Sequence, residues 1–259
     1  MQIYQTTRCR NSGQVLIIAA LIITMLLLST ALYVAETEKE VPAYDSGADA
    51  DFSAVKLGIM HTMLSALANI SNGGETGILV ADLNQFQSVV EGHSYNAIIE
   101  MQFAPLNATP YQNGVWIDWS NEGRGVSGAY VNVYLNSTGI SATCRSEYAV
   151  NLTSELKVSG VCTVLTGLLK QVNLTCSLFN EGKPALAQNF TVLYEQDGSL
   201  STEEWIQVMA TSHTDYGNGT YTMSFTAETS NPDDPMLVSV YCHDLRGILI
   251  RANATCVQG

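Results

Sequence analysis

Residues 141–178 read SATCRSEYAVNLTSELKVSGVCTVLTGLLKQVNLTCSL. Apolar and polar side chains alternate along this stretch, the period-two pattern of strands with one buried face. Thr153-Ser154 and Thr166-Gly167 interrupt it, which predicts three strands at 141–152, 156–165 and 168–178. With a hairpin turn at Thr153-Ser154, residue 144 faces about residue 162 or 163. Cys144 and Cys162 then fall within cross-strand disulfide range at one of the two registers.

The same period continues outward. Upstream, AIIEMQF (97–103), VWIDW (115–119) and AYVNVYL (129–135) alternate, with Asn113-Gly114 and Ser137-Thr138-Gly139 as turns. Downstream, strands are expected near 172–179, 187–195, 205–210, 220–227, 237–243 and 248–255. Glu181-Gly182, Tyr216-Gly217-Asn218-Gly219 and Leu245-Arg246-Gly247 supply turns between them. Before residue 97 the period changes to three and four. Ser46 and Asp49 resemble a capping box, and Phe52, Val55, Ile59, Met63, Leu67 and Ile70 form one helical stripe. Asn72-Gly73-Gly74 stops that helix. A second runs from about 76 to 91, with Leu79, Leu83, Phe86 and Val90 on one side, making a helical hairpin.

Residues 15–35, VLIIAALIITMLLLSTALYVA, carry no charge. As a helix they reach about 31 Å, the thickness of a bilayer's hydrocarbon core. Arg8 and Arg10 precede the run, and Glu36, Glu38 and Glu40 follow it with only Lys39 in opposition. Positive charge resists translocation, so the N-terminus is expected in the cytoplasm and residues 36–259 outside. Three fates of the leader fit: a retained signal-anchor, cleavage after Ser29-Thr30-Ala31, or cleavage after Gly13. Asn-x-Ser/Thr sequons occur at Asn69, Asn107, Asn136, Asn151, Asn173, Asn189, Asn218 and Asn253, all beyond the run. N-glycosylation is expected at these sites, with Asn107 the poorest because Pro110 follows its Thr109.

The net charge is −13. That argues against nucleic-acid partners and polybasic lipid binding, and suits a soluble, mutually repelling surface. Of six cysteines, Cys9 alone precedes the apolar run. Cys144, Cys162, Cys176, Cys242 and Cys256 follow it, where an oxidising compartment allows bridges and an odd count leaves one over. Hairpin geometry leaves Cys256 as that one: it lies about nine residues past the last turn and Cys242 only about three before it.

Two resemblances add to this reading. The basic leader ending RCRNSG, then Gln14 and a pure apolar stretch, resembles the class III signal of archaeal type IV pilin-like proteins. That likeness covers about residues 8–35 and implies cleavage between Gly13 and Gln14 and an apolar helix packed in a filament core. Residues 168–256 are similar to immunoglobulin-like surface domains. This likeness implies that Cys176 and Cys242, on the strands equivalent to B and F, form an inter-sheet disulfide.

Catalytic and cofactor motifs are thin. Gly123-Arg124-Gly125-Val126-Ser127-Gly128 matches G-x-G-x-x-G, but strand rather than helix follows, so it reads as a hairpin loop. His61, His93, His213 and His243 lack metal-ligand spacing, and Asp233-Asp234 between two prolines reads as a solvated loop. Asp118, Glu122, Glu203 and Glu204 offer carboxylates with nothing to bring two together. Trp116 and Trp119 lie three apart and should face opposite sides of a strand, one of them available for a glycan or protein contact.

The expected fold is α+β, in five parts: a cytoplasmic leader (1–14), a transmembrane helix (15–35), a helical stalk or hairpin (36–95), an antiparallel β region (96–167) and an Ig-like β-sandwich (168–259). The expected function is that of a non-enzymatic, membrane-anchored cell-surface glycoprotein with an adhesive, envelope or partner-binding role. The alternative is a pilin-like subunit assembling into a surface filament. No cofactor or metal is expected. Partners are the membrane, and then other surface proteins, glycans or further copies of the chain.

Overall fold

The structure is a computed structural model and describes residues 23–24, 46–93, 97–120, 122–139, 143–196, 205–209 and 211–259. The chain divides into two units, Met1–Gly47 and Ala48–Gly259. Cys9, Gly13, Gln14, Glu203, Glu204 and the apolar run lie outside the described residues, apart from Ile23 and Thr24, which are helical. Among the described residues no helix is long and apolar enough to cross a membrane.

Helix α1 (Ser46–Ser71) buries Val55, Ile59, Met63, Ala66, Leu67 and Ile70, one face of a 3.6-residue period. Gly73, at φ +100°, reverses the chain, and its N–H donates to the Ile70 carbonyl at 3.0 Å. Helix α2 (Ile78–His93) returns with Leu79 and Leu83 buried. The Phe86 ring of α2 rests on Gly58 of α1, where a Cβ would stand 2.4 Å from the ring.

Next come β1 (Ala97–Pro105), β2 (Val115–Trp119), β3 (Arg124–Gly139) and β4 (Thr143–Thr166). β3 is the hub of this part, pairing antiparallel with each of the other three. Ile99, Met101, Val131, Val133, Leu135 and Leu152 join the helical residues in one core.

The turn expected at Thr153-Ser154 is absent, because β4 is a single strand of 24 residues. Its even-numbered side chains stay buried without a change of phase through Leu152, Ser154, Leu156, Val158 and Cys162. The reason is turn chemistry: two-residue hairpins need φ > 0, which Gly or Asn supplies and Thr-Ser does not. Cys144 and Cys162 therefore share one strand, about 60 Å apart at the usual rise of a strand, and the disulfide expected between them is ruled out. The boundary expected at 167/168 falls in the turn after β4, a strand that serves both sides of it.

The remaining strands are β5 (Leu169–Asn180), β6 (Lys183–Pro184), β7 (Ala187–Glu195), β8 (Trp205–Gln207), β9 (Ser212–Asp215), β10 (Thr220–Glu228), β11 (Met236–Asp244) and β12 (Leu249–Gln258). One layer runs β9-β10-β5-β4 and the other β8-β7-β11-β12, all neighbours antiparallel. A short parallel pairing of β12 with β4, Val257 to Val161 and Gln258 to Cys162, joins the two. The layers face each other: Phe190 of β7 lies 4.7 Å from the Tyr221 ring of β10, and the Ala187 N–H donates to Tyr221 Oη at 2.8 Å. Among the described residues the chain is α+β, with two helices of several turns and an antiparallel, β-rich remainder.

The G-x-G-x-x-G stretch is not the hairpin loop expected of it. Gly125 to Gly128 lie within β3, because the β12 backbone crosses there. A Cβ on Gly125 would stand 1.8 Å from the Arg251 carbonyl oxygen, so only glycine admits the crossing. The Gly123 N–H meanwhile donates to the Asn253 carbonyl at 2.7 Å. Gly125→Ala should cost about 2–3 kcal/mol, since backbone, not a flexible side chain, blocks the methyl. Gly92→Ala, in open space on α2, should instead stabilise by about 0.5–1 kcal/mol. Urea denaturation midpoints of the two variants check this opposition of sign.

Candidate functional site

The cysteines are the first test of the sequence expectations. Cys176 lies on β5 and Cys242 on β11, one in each facing layer, and both are fully buried. They are close enough that Cys176 acts electrostatically on Cys242. Burial pushes the Cys176 thiol up to about 12, and burial followed by Cys176 and Asp244 pushes Cys242 higher still. In the structure both carry free thiols, as do Cys162 and Cys256, while Cys144 is exposed.

The sequons separate by burial. Asn69, Asn107, Asn151, Asn173, Asn189 and Asn218 are exposed, and Asn136 is half-buried with its amide donating to Glu100 Oε2 at 3.0 Å. Asn253 is 3% exposed, its side-chain oxygen accepting from Arg251 Nε at 3.1 Å. A glycan has no room there, so Asn253 is struck from the expected glycosylation sites. The period-two pattern hid this: Asn253 alternates with the core residues Ala252 and Ala254, yet its own side of β12 is buried too, with Arg251 bonded to its side chain.

On the outer side of the β1–β3–β4 sheet, Glu100, Gln102, Tyr134, Asn136, Arg145 and Glu147 line an open hollow of about 470 Å³. Beside β2, Tyr111 makes ring contacts with Trp116 and Tyr130 at 5.8 and 5.7 Å, and the Arg124 guanidinium lies 5.6 Å from the Trp116 ring. Trp119 turns to the other side, where its indole N–H donates to Ser127 Oγ. Asp233 and Asp234 are tied into a local turn by Asn231, and the Asp234 carbonyl accepts from the ammonium of buried Lys170. Among the described residues no three His, Cys, Asp or Glu gather as metal ligands. His243 Nε2 pairs with Asn72 Oδ1 at 3.0 Å, while His61 and His213 are exposed.

Sequence reasoning missed a densely bonded polar group. Asp244, at the end of β11, is fully buried. Its carboxylate accepts from Ser154 Oγ (2.8 Å), Arg246 Nε (2.7 Å), the Arg246 N–H (2.9 Å) and the Ile248 N–H (3.0 Å). Arg246 reaches on to Glu181 Oε1 and Ser154 Oγ. Burial alone would lower the Arg246 pKa, but hydrogen bonds to Glu181 and Asp244 outweigh it and hold the guanidinium charged. Ser154 and Asp244 resemble half of a nucleophile–base pair, yet both are closed to solvent and no histidine joins them. The arrangement ties the β11–β12 turn to β4 and to the β5–β6 turn. No family model, curated protein or solved structure matches the chain.

Asp244→Ala should cost about 3–5 kcal/mol, because it strands a half-buried guanidinium, a hydroxyl and two backbone donors that all converge on a fully buried carboxylate. A matching loss in the denaturation midpoint checks it. The raised thiols give a pH prediction for the reduced protein. Unfolded thiols ionise near 9.0 and folded Cys176 near 12, so their contribution is complete below pH 9 and is lost as pH climbs towards 12. The slope is about 1.4 kcal/mol per thiol per pH unit. Urea midpoints at pH 8 and pH 10.5, with reductant, should therefore fall further for the native chain than for the double variant Cys176→Ala, Cys242→Ala.

Proposed function

We propose that this chain is a membrane-anchored, N-glycosylated cell-surface protein with a non-catalytic adhesive, envelope or partner-binding role. The observation that carries this reading is the spread of six exposed sequons over the helices, the sheets and the turns of the body. Asn is mostly exposed in any fold, so the weight lies in number as well as exposure: eight sequons, all beyond the apolar run, against roughly three expected by chance. The acidic, weakly charged composition and the uncharged run at 15–35 support export and anchoring.

The body's second half, from the middle of β4 to β12, is on this reading an immunoglobulin-like sandwich. Support comes from the strand order. β4, β5, β10 and β9 correspond to A, B, E and D, and β12, β11, β7 and β8 to G, F, C and C′. Cys176 and Cys242 then occupy B and F, the inter-sheet bridge positions of such domains. The outer hollow at Glu100–Glu147 and the aromatic group around Trp116 are the surfaces such a protein would offer to a partner. A second reading, a pilin-like filament subunit, is favoured by one feature, the Gly13-Gln14 junction ahead of the apolar run.

Mass spectrometry of the mature N-terminus separates these readings. An intact leader supports the anchor, a start at Gln14 the filament subunit, and a start at Leu32 a secreted form. On chain from its native cells, glycosidase digestion should reduce the mass. Asn218→Gln should remove one glycan and Asn253→Gln none. A chain with no glycan on any sequon overturns the coat reading.

A further inference from the structure

Cys162 and Cys256 are buried on the two strands that close the sandwich, β4 and β12. The parallel register pairs Val257 with Val161 and Gln258 with Cys162. Extended by one residue, it sets Cys256 opposite Gly160, so both cysteines point to the same inward face, two positions apart on neighbouring strands. Cys162 Sγ stands 3.9 Å from the Cys256 carbonyl oxygen. Cys256 Sγ lies over Gly160, where an added Cβ would come within 2.4 Å of the sulfur. Gly160 thus leaves a gap in the inward row of β4, and the Cys256 sulfur fills it. Burial first, then Cys162, pushes the Cys256 thiol up to about 12, and the Lys170 ammonium partly opposes this.

We propose that Cys162 and Cys256 form a disulfide that staples the C-terminal strand β12 to β4 when the chain folds in an oxidising compartment. The proposal rests on the extracytoplasmic reading of residues 36–259. It replaces the sequence expectation in which Cys256 was left over and Cys162 was matched with Cys144. The cysteines are 94 residues apart in sequence, so the bridge closes a long loop and removes much of the freedom of the unfolded chain. It also secures the edge where a parallel ladder of two residue pairs joins β12 to β4. Cys144, exposed at the other end of β4, becomes the unpaired thiol of the body.

The chemistry is a two-electron thiol–disulfide exchange with a small-molecule or enzyme disulfide as oxidant. The thiolate of one cysteine attacks a donor sulfur, forming a mixed disulfide and releasing one donor thiolate. The thiolate of the other attacks the protein sulfur of that mixed disulfide and releases the second. Two protein thiols are oxidised, one donor disulfide is reduced, and the two protons pass to the released thiolates. Both thiols are buried once β12 is docked, which places the exchange before β12 seats, during folding.

The test uses the full chain in detergent, unfolded under reductant and refolded in a mixture of oxidised and reduced glutathione. Non-reducing peptide mapping should recover a linked peptide pair containing Cys162 and Cys256. With Cys176 and Cys242 also bridged, titration in denaturant should find two free thiols of the six, Cys9 and Cys144. Cys256→Ser should raise that count to three by freeing Cys162. Recovery of Cys162 and Cys256 both alkylated, or of either linked elsewhere, overturns the proposal. The mapping needs no variant, so a Cys256→Ser chain that fails to fold does not blunt it. Because the refolding is done in vitro, the result does not depend on where the cell keeps the chain. If chain taken from cells has every thiol reduced yet bridges on refolding, the export reading fails and the pairing stands.

Discussion

The body depends on β4 crossing it without a break. A strand of 24 residues reaches about 75 Å, longer than either half of the body requires. Its first half pairs with β3, in the core shared with the helical hairpin, and its second half pairs with β5 in the sandwich. The inward row passes from Tyr148, Val150 and Leu152 to Leu156, Val158 and Cys162 without a linker. The two halves therefore share backbone hydrogen bonds, and relative motion between them would have to shear a ladder rather than bend a hinge.

Ser154 stands where one half of that row gives way to the other, and it is the one polar member of the buried run. Asp244 and Arg246 meet it from the β11–β12 turn, and Arg246 also holds Glu181 from the β5–β6 turn. The same β11–β12 turn is held from its other side by α1. Asn72 donates to the Gly247 carbonyl and pairs with His243, and Ser71 Oγ accepts from the Leu249 N–H. Helix end, long strand and two hairpin turns thus converge on one polar knot. A knot of this kind specifies register: sliding β4 by one residue would turn Ser154, Leu156 and Val158 outward and bring Thr153 or Glu155 to the Asp244 carboxylate.

Much of this was legible in the sequence. The helical stripe from Val55 to Ile70 and its stop at Asn72-Gly73 carry their own signals, and Asn113-Gly114 and Glu181-Gly182 both adopt positive φ at each position, as such turns require. The continuity of β4 was legible as well, in the unbroken even phase on either side of Thr153-Ser154, but polarity at those two residues imitated a turn. What composition could not reveal was who covers whom. Asn253 looked like a surface sequon because it alternates with the core residues Ala252 and Ala254, yet both sides of β12 are buried there. Gly125 looked like a flexible loop because the strand that demands it arrives at Arg251. Asp244 and Arg246 looked like ordinary turn residues because their partner, Ser154, lies 90 positions upstream of Asp244.

These long-range dependences share a direction: each waits on β11 or β12, the last strands made. β12 must cross Gly125, bond its backbone to Ser120 and Gly123 and reach Val161 before the layers are joined. The helical hairpin and the β3–β4–β5 ladders, by contrast, link neighbours in sequence and have little loop entropy to overcome. The sandwich thus has a stable early part and a closing part whose docking buries Cys242 and Cys256 together with Asp244. A chain built this way gains most from a covalent tie at its final strand, because that strand closes long loops and is held to β4 by a ladder of two residue pairs. The two buried cysteines at the β12–β4 contact lie at that point.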